Sequence, residues 1–210
     1  MHVHVSGHPV VAAKLSLLRN KDTSSKEVRG LVHELGLLLA YEATADLPLR
    51  RDKELMSPLS RYTSDVIKKR VALVPVLRSG LSLVESLLSF LPDSRVLHLG
   101  LYREKMTLEP VEYYNKLPQE PNVDVCFILD PMIATGGTAI AVVNMLKDWG
   151  IPGHSIKFIA ICASREGVQH LSSMHSDIHL YTAAIDDVLD SHGYILPGLG
   201  DCGDRLYDTT

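Results

Sequence analysis

The stretch VDVCFILDPMIATGGTAIAVV, residues 123–143, carries the most suggestive chemistry in the chain. An apolar run ends on Asp130, a fixed carboxylate acceptor suited to a vicinal diol. Past Pro131, Met132 and Ile133 comes a turn of small and hydroxylated residues, Ala134, Thr135, Gly136, Gly137 and Thr138, from which a helical pattern opens. Its glycines permit positive φ and close approach, its threonines offer hydroxyls, and the opening helix presents amides and the positive end of its dipole. Such a turn holds a phosphate monoester without a lysine. It is not a P-loop, because GxxxxGK[ST] is absent and no lysine lies in it to reach a β- or γ-phosphate. On local sequence alone, an ordinary turn with Asp130 as a cap stays open.

Two arginines stand at comparable places. Arg78-Ser79-Gly80 follows the run VALVPV, so a guanidinium fork and a flexible turn meet at a strand end, where a pyrophosphate could be gripped. Arg103 stands just past the next apolar run, with a surface ion pair as its alternative role. In the tail, Gly198-x-Gly200-x-x-Gly203 spells a dinucleotide-binding fingerprint without its context. Pro197 is wrong for a central strand before it, nothing after Arg205 is long enough for a helix, and no acidic residue follows at the required distance. The expectation is a glycine-rich loop without a helix, presenting bare backbone N–H and C=O groups to a flat ligand.

Elements must bring these residues together. Ser24-x-x-Glu27 is a capping box, and Val28, Leu31, Leu35, Leu38 and Leu39 then recur at helical spacing to about Ala43. The polar stretch 48–69 shows no clear periodicity and reads as an irregular hood or arm. From Val71, β-rich runs at 71–76, 96–102, 123–129, 155–163 and 178–185 alternate with helical ones through LSLVESLLSFL, Ala139–Trp149 and Glu166–His175. The fold class is α/β, a doubly wound, mainly parallel sheet with helices on both faces. We expect one domain over 1–210, with N-terminal helices at 9–45, the hood at 48–69, a core at 70–193 and a C-terminal loop at 194–205. Ligands of such sheets gather at the carboxyl ends of the strands, where the residues above lie.

Composition narrows the function classes. The chain has 210 residues, 46% hydrophobic and 22% charged, with a net charge of −4, which leaves no footprint for nucleic acid or an anionic membrane. No apolar run approaches a membrane span, and MHVHVSGHPVV lacks the marks of a signal peptide, so a cytoplasmic protein is expected. Cys126, Cys162 and Cys202 are widely spaced with no CxxC, as befits reduced thiols. Ten histidines include no HExxH, and His2, His4 and His8 lie at a terminus expected to be loosely held.

Strand, acidic residue, then ATGGT before a helix resembles the 5-phosphoribosyl 1-pyrophosphate (PRPP) motif of type I phosphoribosyltransferases. Where most of that superfamily has two adjacent acidic residues, this chain has Asp130-Pro131, and DPMIATGG is similar to uracil phosphoribosyltransferases. The resemblance runs on through YEATADL, VPVLRSGL, GLYREKMTLEPVEYYNKLP and YILPGLGDCGDR. It implies transfer of the phosphoribosyl group of PRPP to N1 of uracil, giving UMP and pyrophosphate, with Mg²⁺. It assigns PRPP to Arg78, Ser79, Gly80, Arg103, the segment Asp130, Pro131, Met132, Ile133, Ala134, Thr135, Gly136, Gly137, Thr138, and Asp201. Uracil falls to the main chain at Ile195, Gly200 and Cys202 beside Asp201, while Asp201, Arg78, Arg103 and Asp130 form the catalytic group.

The resemblance also implies a flap over the site from TLEPVEYYNKLP, a homodimer or homotetramer, and, as in some members, activation by GTP. Ser79 and Ser82 stand where small residues are common, and Cys202 where alanine is usual, which would make the site sensitive to oxidation. A backbone carbonyl between amides matches uracil's N3–H and its O2 and O4 acceptors, while cytosine would leave polar groups unpaired. Two rivals are transfer to orotate, whose carboxylate would call for Arg205, and a PRPP- or nucleotide-sensing regulator on the same fold.

Overall fold

The structure, a computed structural model, describes residues 1–103 and 110–209. Its elements begin with β1 (His2–Val5), α1 (Pro9–Arg19), α2 (Ser25–Thr44), β2 (Leu49–Met56), β3 (Arg61–Ile67) and β4 (Val71–Leu77). A 3-10 turn (Ser79–Leu83), α3 (Val84–Leu88), β5 (Arg95–Val96), β6 (Leu99–Arg103) and β7 (Pro110–Asn115) follow. Then come β8 (Val125–Leu129), β9 (Met132–Ile133), α4 (Gly137–Asp148), β10 (Ile156–Ser164), α5 (Arg165–Met174), β11 (His179–Asp186), β12 (Val188–Leu189), β13 (Ile195–Leu196) and α6 (Cys202–Tyr207).

Continuous apolar runs need cover on both faces, and they have it. Every residue of β8 and of β10 is buried. Alternate side chains of the sheet go to opposite layers. Leu73, Phe127, Leu129, Ile159 and Ile161 pack with α1, α2, α3 and α6, whereas Ala72, Val74, Cys126, Ile128, Phe158 and Ala160 pack with α4 and α5. The main path of the sheet runs β1-β11-β10-β8-β4-β6-β7, parallel throughout except for β7, with β5 beside β4 and β9 beside β10. From β8 the chain winds outward through β10 and β11, and from β4 it winds the other way through β6. The switch point therefore lies between β4 and β8, and the crevice at their carboxyl ends is the natural ligand site of such a sheet.

The capping box forms as expected: the Ser24 hydroxyl accepts from the Glu27 amide, and the Glu27 carboxylate accepts from the Ser24 amide at 3.0 Å. Four expectations change. The stretch 48–69 is an antiparallel hairpin of β2 and β3, not an irregular segment, and nearly all its residues are exposed. With no face buried there is no alternation to read. The N-terminus is not loosely held, since β1 pairs parallel with β11 and is pinned by Glu42, which holds His4 Nε2 at 3.0 Å and the Ser6 hydroxyl at 2.7 Å. The run 96–102 breaks at Leu97 and His98 into β5 and β6. The tail has a helix after all, α6, whose six residues are too few to register as a pattern. Of the expected flap, residues 110–115 form β7, paired antiparallel with β6, and 104–109 lie outside the described residues.

Candidate active site

Glycine brings the two strand ends into contact. A Cβ on Gly80 would lie 2.1 Å from the Leu129 carbonyl oxygen, so only glycine lets the turn after β4 close on the end of β8. Ser79, in that turn, donates to Asp130 Oδ1 at 3.2 Å, and the Met132 amide donates to the same oxygen at 3.4 Å. Ser82 donates to the Ser79 carbonyl at 2.7 Å and fastens the turn itself. The two serines that depart from the family pattern thus orient the carboxylate and its loop. The Leu77–Arg78 peptide at the head of the turn is cis.

Below Asp130 the threonine-glycine turn is moulded on α5. Gly136, the N-cap of α4, has φ of +85°, and a Cβ there would meet the Gly167 carbonyl oxygen at 2.8 Å. Gly167 in turn leaves no room for a Cβ, which would stand 2.2 Å from the Ala134 carbonyl oxygen. The fully buried Ser164 caps α5 by accepting from the Gly167 amide at 2.8 Å, and its hydroxyl donates to that same Ala134 carbonyl. His170 Nδ1 lies 3.0 Å from the Thr135 carbonyl oxygen. The first amides of α4 and its positive dipole end consequently face the crevice from a braced position.

The third wall is the tail. Strands β12 and β13 pair across a turn in which Asp190 accepts from the His192 and Tyr194 amides at 2.8 Å each. The Tyr194 amide, then the His192 amide, hold the Asp190 carboxyl below its ordinary range. Gly198 and Gly200 adopt φ of +55° and +71°, and Asp201 caps α6 by accepting from the Asp204 amide at 2.9 Å. Arg205 turns away from the crevice and donates to the carbonyls of Leu18 (2.7 Å), Leu199 (2.9 Å) and Asn20 (2.7 Å). Thus committed, it offers no cation to a substrate carboxylate, which removes the feature that the orotate rival needed.

These walls enclose a cavity of about 420 Å³. Of the residues singled out in the sequence, Ser79, Asp130, Met132, Ile133, Ala134, Gly136, Thr138, Ile195, Gly200, Asp201 and Cys202 line it together. Gly80, Pro131, Thr135 and Gly137 do not line it but adjoin in sequence residues that do. Arg78 stands at the edge, Nη2 3.5 Å from Asp204 Oδ1, with its guanidinium 6.0 Å from the centre of the Tyr207 ring. Arg103 closes β6, and its side chain is outside the described residues. Sequence reasoning missed His192, Gly193 and Tyr194, which line the cavity from a turn with no motif of its own. It also overstated the risk at Cys202: burial, then the nearby Asp130 and Asp201, push its thiol up to about 12, so it is not a reactive thiolate. Among the described residues no group of three or more His, Cys, Asp or Glu could hold a metal unaided.

The family model described as uracil phosphoribosyltransferase matches residues 5–209. A uracil phosphoribosyltransferase of Roseiflexus sp. (strain RS-1) is 53% identical over 207 residues, covering 99% of this chain and 98% of that protein. One from Lactococcus lactis subsp. lactis (strain IL1403) is 48% identical over 203 residues, 96% of each chain. A solved protein from Aquifex aeolicus superposes with a TM-score of 0.91 at 33% identity, covering 99% of both chains. A hypoxanthine-guanine phosphoribosyltransferase from Bacillus anthracis, with a TM-score of 0.50 and 10% identity over 77% of this chain and 80% of that one, shares the fold alone.

Proposed function

We propose a division of labour for this chain, which belongs to the uracil phosphoribosyltransferase family and transfers the phosphoribosyl group of PRPP to N1 of uracil, releasing pyrophosphate and leaving UMP. The observation that carries it is the meeting of Asp130, the α4 N-terminus and the glycine-rich tail around one cavity. The turn Ala134–Thr138 takes the 5′-phosphate on its amides and hydroxyls. Asp130, held by Ser79 and the Met132 amide, accepts from the ribose hydroxyls. The main chain of Ile195, Gly200 and Cys202 reads the uracil ring, with Asp201 between base and ribose.

As the bond to pyrophosphate breaks, positive charge grows on the ribose and negative charge on the leaving group. Arg78 and Arg103, with the Ser79–Gly80 turn, receive the pyrophosphate. Arg78 is released from Asp204 at little cost, since that contact is long and exposed. Pyrophosphate carries more negative charge than two guanidinium groups neutralise, so the departing group calls for a divalent counter-ion as well. Phosphate oxygens, with Asp201, would hold a Mg²⁺ ion that would neutralise the departing charge. Positioning and electrostatics supply the rate, and no protein nucleophile takes part.

The reading includes, from the family resemblance, a homodimer or homotetramer and activation by GTP. It also includes a cytoplasmic setting that keeps the buried Cys126, Cys162 and Cys202 reduced. The test is product formation from PRPP and Mg²⁺ with uracil, beside orotate, cytosine, hypoxanthine, and uracil plus GTP. UMP should form from uracil and from no other base, faster with GTP. No product with uracil, with or without GTP, while PRPP still binds by calorimetry, would turn the reading to the regulator.

A further inference from the structure

Behind the base-reading loop, outside the cavity, lies a partly buried ion pair that the chemistry above does not use. Arg19, the last residue of α1, donates through Nη2 to Asp186 Oδ1 and through Nη1 to Asp186 Oδ2, each at 2.7 Å. Nη1 also donates to the Gly198 carbonyl at 2.9 Å, while the Gly198 amide donates to Asp186 Oδ2 at 3.0 Å. The Cys162 thiol completes the shell at 3.2 Å from the same oxygen. One residue of the loop is thus gripped at its N–H by the anion and at its C=O by the cation of a single bidentate pair.

Gly198 leaves little slack for this grip. Its φ is +55°, and a Cβ would stand 2.0 Å from the Ile195 carbonyl oxygen. Ile195 and Gly200, which flank it, are the residues assigned to the base. From the other side Arg205 reaches back to the carbonyls of Leu18 and Asn20, on either side of Arg19. The end of α1 and the loop are therefore laced together twice. A base read by backbone groups has no flexible side chain to correct a misplaced contact, so selectivity depends on the pose of the loop as a whole.

Resting on the uracil reading above, we propose that Arg19 and Asp186 are positioning residues for base recognition, setting the loop pose that separates uracil from cytosine while touching neither substrate. The fork geometry of the pair is directional, and a lysine would keep the charge without the direction. Arg19→Lys and Asp186→Asn should each raise KM for uracil on the order of tenfold or more and narrow the preference for uracil over cytosine, with KM for PRPP held within about twofold. The double variant should cost less than the sum of the two, because each single change already breaks the fork.

The measurements are steady-state kinetics in both substrates and PRPP calorimetry on the same preparations. An unchanged KM for uracil overturns the proposal. So does an equal rise in both KM values, or failure of both variants to fold, since either marks a purely structural pair. A wild-type protein that makes no UMP sinks the functional reading instead, and the two failures are told apart by that control.

Discussion

Ser164→Ala tests whether α5 shapes the phosphate turn. The hydroxyl is fully buried, accepts from the Gly167 amide at 2.8 Å and donates to the Ala134 carbonyl. Loss of an N-cap costs about 1 kcal/mol. Leaving a buried carbonyl without its donor costs about 1–3 kcal/mol more. Together these amount to roughly 2–4 kcal/mol, a large share of the ~5–15 kcal/mol that stabilises a typical domain. Urea unfolding should show the loss as a lower midpoint at an unchanged slope. Because the Ala134 carbonyl opens the turn assigned to the 5′-phosphate, KM for PRPP should rise several-fold, matching the ~1 kcal/mol that one buried hydrogen bond contributes, while KM for uracil stays put. Ser173→Ala, on the exposed side of the same helix, is the control and should change stability by no more than about 0.5 kcal/mol. A loss in Ser164→Ala no larger than the control's, or a full loss of stability with KM for PRPP unmoved, refutes the reasoning.

Gly80→Ala should lower kcat/KM on the order of 100-fold, because its Cβ would fall 2.1 Å from the Leu129 carbonyl oxygen and force the Arg78 turn off Asp130. Wild-type turnover in that variant would separate the turn from the chemistry. Asp124 is held at about 2 by the side-chain and then the backbone hydrogen bonds of Arg70. Its folded value lies below the unfolded one, so its contribution is present above the usual carboxylate range and fades as pH falls toward about 2. Asp124→Asn should melt slightly below wild type at pH 7, with the gap closing on acidification; a gap that widens in acid would reverse the sign. Burial pushes the thiols of Cys126, Cys162 and Cys202 up to about 12, so iodoacetamide at about pH 8 should label none in the native protein and all of them in urea. Native labelling at Cys202 would show that the tail opens.

Local chemistry was legible wherever one segment carries its whole cause. Asp130 and the ATGGT turn could be read because a strand end, a helix N-terminus and two glycines adjoin in sequence. The strands of the core could be read because burial on both faces leaves unbroken apolar runs, and α2 because its cap lies within four residues. The hairpin β2–β3 left no trace, since pairing without a buried face imposes no period. Helix α6 is too short to stand on propensity, and Leu206, fully buried against the core, holds it in place.

The side chains that brace the site were beyond reach for a different reason. Arg19 and Asp186 are 167 positions apart, and each alone reads as an ordinary charged residue. Arg205 reads in the sequence as a candidate cation for a substrate carboxylate, and only the return of α6 beside the end of α1 commits it to backbone carbonyls. Ser164 was not singled out in the sequence, and its bond to the Ala134 carbonyl exists only because β10 delivers it beneath that turn. The sequence alone determined which groups could bind phosphate, ribose and base, because donors, acceptors and backbone freedom belong to residues. Tertiary structure decided which charges serve the substrate and which hold the loops, because a side chain's partner is set by the long-range packing that brings it near.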